Sequence, residues 1–208
     1  MTTRAFVHAA AWWDAEVGPP KAELLSRAER LAASFSTRIL AHVLGGVAER
    51  SLVPLSDVPW VLGSALSHAL GPELVRTLAP SRGLALVHAG PATVAMALVE
   101  ALGRLVEHEA VLLAFVADAT PPHHEALAAA LLLSRAPMGA TRLVIAAPVL
   151  RRTPSHSGHS GRSEGSHPLA AARTLVRAVL VGRPTVETVP SMSADRPEHW
   201  RIELSLAD

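Results

Sequence analysis

LALVHAGPATVAMALVEALGRL, residues 84 to 105, is the stretch whose reading decides the fold. Leu84-Ala85-Leu86-Val87-His88 is a short apolar run of strand character, and Ala89-Gly90-Pro91 closes it with turn chemistry. From Ala92 to Glu107 the residues Val94, Ala97, Leu98, Ala101 and Leu105 recur at steps of three and four, which makes one buried helix face. Val111 to Val116 then runs apolar without interruption, as a strand covered on both faces does. Strand, turn, helix and buried strand in succession predict a layered α/β domain.

Upstream, residues 4 to 12 (RAFVHAAAW) read as a first strand, and Gly18-Pro19-Pro20 forbids a helix across the next few positions. From Ala22 to about Leu44, Leu24, Leu25, Ala28, Leu31, Ala32, Phe35, Ile39 and Val43 keep helical spacing. That predicts one long helix covering a sheet, with Gly45-Gly46 as its stop. Val58 to Leu62 reads as a short strand running into Gly63-Ser64, and 65 to 78 as helix split by Gly71-Pro72.

Downstream, Pro121-Pro122 precedes two further apolar segments, Ala126 to Leu133 and Thr141 to Val149. Thr153 to His167 is rich in Ser, Gly and His and reads as a flexible loop. A helix from Pro168 to Val181 and a strand from Trp200 to Leu206 complete the chain, read as a single domain over 1–208 without internal repeat.

Composition narrows the function classes. Half the residues are apolar and 18% are charged, so most of the chain is expected to fold around a core. At 208 residues it buries roughly 70% of the surface its unfolded chain exposes. A mean hydropathy of +0.29 implies a sheet covered on both faces, or apolar surface kept for a partner. There are no cysteines, which removes disulfides, thiolate metal sites and cysteine nucleophiles together. Net charge is +1, with scattered arginines, a single lysine (Lys21) and no tyrosine, which argues against a nucleic-acid surface. No signal peptide fits the N-terminus and no apolar run approaches a membrane span, so a cytoplasmic protein is expected.

The order of landmarks resembles the first half of the thiolase-like fold as it occurs in β-ketoacyl synthases. They are a helix beginning Leu25-Ser26-Arg27, a strand ending Val61-Leu62-Gly63-Ser64, the 84–105 unit, and VLLAFVAD at 111–118. ALAAALLLSR (126–135), PLAAARTLVRAVLVGRP (168–184) and HWRIEL (199–204) are similar to the ends of short, stand-alone proteins of the ketoacyl-synthase N-terminal-like family. The resemblance implies a mixed central sheet with helices on both faces. It places Gly90 where the condensing enzymes carry their nucleophilic cysteine. Glycine has no side chain, so no acyl-enzyme forms there. The two catalytic histidines of the full enzymes belong to a second half, and no histidine here sits in a matching motif. What carries over is the helix N-terminus behind Gly90-Pro91, where backbone N–H groups are free. His88, Pro91, Thr93 and Asp118 are the residues expected around that vestigial pocket.

Other constellations weigh less. Gly161-Arg162-Ser163-Glu164-Gly165 matches G-x-S-x-G, but that elbow requires a strand before it and a helix after it. Here SHSGHS precedes it, so a chance match is the reading. His156, His159 and His167, with the pair His123-His124, lack a rigid frame and carboxylate anchors, so no metal is expected. Asp118 reads as a turn cap before Pro121-Pro122, and His88 as a pocket-wall histidine. Trp12, Trp13, Trp60 and Trp200 are expected as core or interface anchors.

The expectation is therefore a non-catalytic ketosynthase-like accessory protein of a fatty-acid or polyketide pathway, aryl-polyene-like pigment synthesis being one setting. It would need no cofactor. Its partners would be a full-length ketosynthase, an acyl carrier protein or an acyl chain, with a homodimer as a further form. The alternative is a small acyl-thioester hydrolase or transferase that recruits Ser163, Asp118 or His88.

Overall fold

The computed structural model describes residues 4–65, 81–118, 125–139, 143–152, 167–191 and 198–207. Among the described residues nine strands form one mixed sheet. They are β1 (Arg4–Asp14), β2 (Trp60–Ala65), β3 (Leu84–Val87), β4 (Ala110–Ala117), β5 (Leu127–Ser134), β6 (Leu143–Ala146), β7 (Val149–Arg152), β8 (Thr185–Pro190) and β9 (Glu198–Leu206). The order across the sheet is β3-β2-β4-β5-β1-β6-β9-β7, with β8 also on β9. β2 pairs in parallel with β3 and β4, and every other pairing is antiparallel. This is the α/β architecture expected from the sequence.

The described residues form four α-helices, α1 (Arg27–Ala32), α2 (Phe35–Ala48), α3 (Thr93–Arg104) and α4 (Ala170–Val181), of which α2, α3 and α4 pack on the sheet. β4 and β5 are buried along their whole length, eight residues each. Their side chains alternate between two cores. Val111, Leu113 and Phe115 join the core under α3 and α4, whereas Leu112, Ala114 and Val116 join the core under α2. This two-sided burial is why the strand reads as an unbroken apolar run.

β1 serves both cores by a different device. Its register on β5 slips between Val7 and Ala9, leaving His8 as the extra residue of a bulge. Val7 faces α4, and after the bulge Ala9, Ala11 and Trp13 face α2. The His8 ring lies between the Met138 carbonyl (3.1 Å from Nδ1) and the Ser134 hydroxyl on Nε2. Burial holds the His8 pKa below its usual 6.5, against hydrogen bonds to Met138 and Ala136 that favour the charged ring.

The long helix expected over 22–44 is two helices. Ser26 caps α1 in a reciprocal capping box with Glu29, and Ala33 then turns extended. Ser34 restarts the chain as the cap of α2, accepting the Thr37 N–H at 3.2 Å. The sheet-covering face begins only at Thr37 and Ile39; Leu31 is 83% exposed. Nor does Gly45-Gly46 stop the helix. A Cβ on Gly46 would sit 3.0 Å from the Ala11 Cβ, so the glycine lets α2 lie close on β1.

Other differences are smaller. The 126–133 segment is strand β5. Thr141 to Val149 divides at Ala147-Pro148 into β6 and β7, which lie along the same side of β9. β8 has no counterpart in the sequence reading. The helix expected over 65–78 lies outside the described residues. No helix among the described residues is long and apolar enough to cross a membrane.

Candidate functional site

β2, β3 and β4 run parallel, so their C-terminal ends open on one edge of the sheet. In open α/β sheets that edge is where ligands and catalytic groups gather. β3 leads through Ala89 into a 3-10 turn, Gly90–Ala92, and directly into α3. Gly90 is exposed, has φ of +51°, and a Cβ built on it meets nothing within 4 Å. The glycine therefore answers a backbone requirement: the left-handed conformation costs other residues about 1–2 kcal/mol.

Thr93 organises this turn from inside. It is fully buried, accepts the Ala89 N–H at 3.0 Å, and donates its hydroxyl to the Gly90 carbonyl at 2.8 Å. It therefore supports the turn from below. The free N–H groups expected behind Gly90-Pro91 are also largely spent. The Ala92 N–H reaches the Ala89 carbonyl at 3.0 Å, the Thr93 N–H reaches Gly90, and Pro91 has none.

Gly63 on β2 completes the support. A Cβ there would lie 2.6 Å from Phe115 Cδ1 and 3.2 Å from Thr93 Cγ2. The small-residue stretch of β2 is thus what lets Phe115 and Thr93 meet beneath the turn. Sequence reading used Gly63 only as a landmark. Its packing role depends on the β2–β4 register, which pairs Gly63 with Phe115.

His88 is exposed, and its Nδ1 donates to the Ser64 carbonyl at 2.8 Å, fixing the ring over the end of β2. Pro91 is exposed beside it, and Asp118 lies half-buried just past β4. His88 and Asp118 follow the two strands that flank β2 on opposite sides, with Asp118 two residues further along the sheet. The structure thus brings Gly90, His88, Pro91 and Asp118 to one edge of the sheet.

The remaining candidates fall elsewhere. His167 is buried, its Nε2 3.1 Å from the Glu125 carbonyl and its Nδ1 accepting the Leu169 N–H at 3.1 Å. It anchors the entry to α4, contrary to its place in a solvated loop. Ser163, His156, His159, His123 and His124 lie outside the described residues, as do Pro121-Pro122. Among the described residues no group of three His, Asp or Glu side chains is placed to hold a metal. Trp13 and Trp60 are core residues, Trp200 packs against the α4-side core, and Trp12 is half-buried under Arg177 at 4.8 Å.

No family model and no curated protein matches this chain. Solved structures do. A chain of the ketosynthase (ApeO) in complex with its chain length factor (ApeC) from Xenorhabdus doucetiae superposes with a TM-score of 0.57 at 15% identity. The match covers 86% of this chain and 81% of that one. The fold is that of ketosynthase-like, thiolase-fold proteins. AbyA1, a tetronic acid condensing enzyme, matches at a TM-score of 0.50 and 13% identity, over 71% of this chain and 55% of its own. A 3-oxoacyl-(acyl-carrier-protein) synthase III matches at 0.48 and 16%, again over 55% of its own length. The chain spans just over half of each of these two chains, and most of the chain in the ketosynthase complex.

Proposed function

We propose that this protein is a non-catalytic ketosynthase-like accessory subunit, cytoplasmic, working beside a full-length ketosynthase in fatty-acid or polyketide-type synthesis. Aryl-polyene-like pigment synthesis is one setting that suits it. The observation that carries the reading is Gly90. The strand–turn–helix around it resembles the one that carries the nucleophile in condensing enzymes, and the residue in that place has no side chain to take an acyl group. The solved chain that this one matches over most of both lengths comes from a complex of a ketosynthase with its chain length factor, which supports partnership as the role.

The open end of the sheet offers a route to that partner. Among the described residues β3 is the edge strand beside β2, and Leu84–Val87 carries no charge, proline or bulge to discourage pairing. Leu86 on it is 56% exposed. A ketosynthase docking here would take up the free strand edge and shelter Leu86, and a second copy of this chain would compete for the same edge. The Gly90 turn follows that strand directly, so it would lie next to the partner and to any acyl chain or carrier protein the partner holds.

Intact-mass analysis after exposure to acyl thioesters tests the non-catalytic reading. The expected spectrum shows the unmodified chain alone. A stable acyl adduct on any side chain would replace this reading with that of a small acyl-transferring or hydrolysing enzyme.

A further inference from the structure

α1 (Arg27–Ala32) buries none of its six residues. A helix this short owes its stability to tertiary packing, since isolated helices under about 12 residues are marginal in water. Yet its start is fully capped, with Ser26 and Glu29 bonded reciprocally. Leu31 on it is 83% exposed, more than any other large apolar side chain among the described residues. Leu24 and Phe35, just before and just after the helix in the chain, are 47% and 41% exposed. Exposed apolar side chains concentrated in this way mark a contact surface.

The charges free to act beside Leu31 are cationic. The Glu29 carboxylate accepts the Ser26 N–H at 2.7 Å, and Arg30 donates to the Leu25 carbonyl at 2.9 Å. Arg27, one turn before Leu31, takes part in none of the ion pairs among the described residues, and neither does Arg38 near the start of α2. The Arg38 guanidinium lies over the Phe35 ring, 5.6 Å from its centroid, and Phe35 meets Trp13 edge-on at 5.4 Å. The Arg38 Nε is buried without a hydrogen-bond partner. A cation drawn partly out of water calls for a carboxylate to complete it. Upstream, Lys21 and Glu23 offset one another.

We propose that α1 is a docking knob for a partner protein that offers an apolar groove with carboxylates on its rim. Leu31 enters the groove as the anchor of a seated helix, and Arg27 and Arg38 pair with the rim acids. A second copy of this chain does not fit that description. Its own apolar hollow, walled by Leu52, Met138, Val179 and Leu206, is bordered by Arg50 rather than by an acid. Nor does an anionic bilayer fit. A helix of six residues is about 9 Å long and carries a single leucine, too little to seat in lipid. Cations fixed by a helix turn and an aromatic ring match discrete carboxylates better than a diffuse surface charge. α1 is separate from the Gly90 turn and from the β3 edge, so the proposal stands or falls apart from them.

Site-specific photocrosslinking in the native host tests it, with p-benzoylphenylalanine at Leu31 of the full chain and, as control, at the exposed Val106. The expected result is a protein adduct from position 31 and not from position 106, mapped by peptide mass spectrometry to an apolar segment flanked by Asp or Glu. The purified partner then binds wild type in titration calorimetry. Leu31→Ser and the double variant Arg27→Glu/Arg38→Glu each weaken binding by about tenfold or more, and changing the partner's mapped acids to lysine restores the double variant. Since α1 buries nothing, Leu31→Ser leaves Tm unchanged, which separates docking from folding. The proposal is overturned if position 31 crosslinks to no protein, to lipid, or only to a second copy of this chain. It is equally overturned if the mapped segment holds no carboxylate, or if both variants bind as wild type does.

Discussion

The hydroxyl of Thr93 donates to the carbonyl of Gly90 at 2.8 Å and accepts the N–H of Ala89 at 3.0 Å, so one buried side chain ties both ends of the turn that leads into α3. Thr93→Val keeps the shape and removes both bonds. The buried Ala89 N–H then goes unsatisfied, while the Gly90 carbonyl keeps the Thr93 backbone N–H, and equilibrium denaturation should show a loss of about 1–3 kcal/mol. Thr93→Ser, which keeps the hydroxyl, should recover most of it. Equal losses in the two variants would mean that the methyl packing matters and the bonds do not.

Gly63 and Phe115 are locked by shape. A methyl at Gly63 would stand 2.6 Å from the Phe115 ring, so Gly63→Ala forces the ring or the strand to move. Overpacking of this kind costs about 1–3 kcal/mol. Shortening the ring in Gly63→Ala/Phe115→Leu should cost less than the sum of the two single changes, because they share one contact. Strict additivity in a double-mutant cycle would show that the two residues do not press on one another.

At Gly90 the constraint is the backbone alone, since added atoms meet open space. Gly90→Ala should cost about 1–2 kcal/mol through the positive φ. Gly90→Cys should cost the same and, in a chain without cysteine, present a single thiol on an exposed turn. That thiol should react with iodoacetamide under native conditions. Protection from the reagent in the folded, isolated chain would contradict the exposed placement of the turn.

His8 and His42 make the fold sensitive to acid. Burial holds both below the usual 6.5, with Lys21 adding to the effect at His42 against the pull of Glu23 and Glu49. A histidine with a depressed folded pKa stays neutral in the native state while the unfolded chain takes up its proton. Its contribution is therefore complete above about pH 6.5 and is lost as pH falls through the folded pKa. Thermal melts from pH 7.5 to 5.5 should show Tm falling with acid, less steeply in His42→Gln. Parallel slopes in the two proteins would remove His42 from the explanation.

Much of this architecture is legible in the residues. VLLAFV at 111–116 reads as a two-sided strand because both of its faces are buried, and the helix after Gly90 keeps one face from Val94 to Leu105. What the residues do not announce depends on partners far along the chain. The bulge at His8 changes which side of β1 is inward, and only the register against β5 reveals it. β8 is a short strand ending in proline, held almost wholly by β9. The division at Ser34 escapes a periodicity argument, since the apolar steps continue across a cap that interrupts the backbone. At the site, Gly90 beside Pro91 is legible as a turn glycine, and its φ is positive. The part Thr93 plays in tying the turn is not legible, since only the turn geometry shows its hydroxyl folded back onto Ala89 and Gly90.

The central claim is that this chain serves a ketosynthase by pairing with it. Native mass spectrometry of the chain mixed with a cysteine-bearing ketosynthase encoded in the same genome, with wild type and Leu86→Lys in parallel, tests that most directly. The account predicts a one-to-one complex for wild type, weakened about tenfold or more by a charge on the β3 edge, with acyl groups found only on the ketosynthase. Wild type that stays apart from the ketosynthase at micromolar concentration, or that itself carries the acyl group, would contradict it.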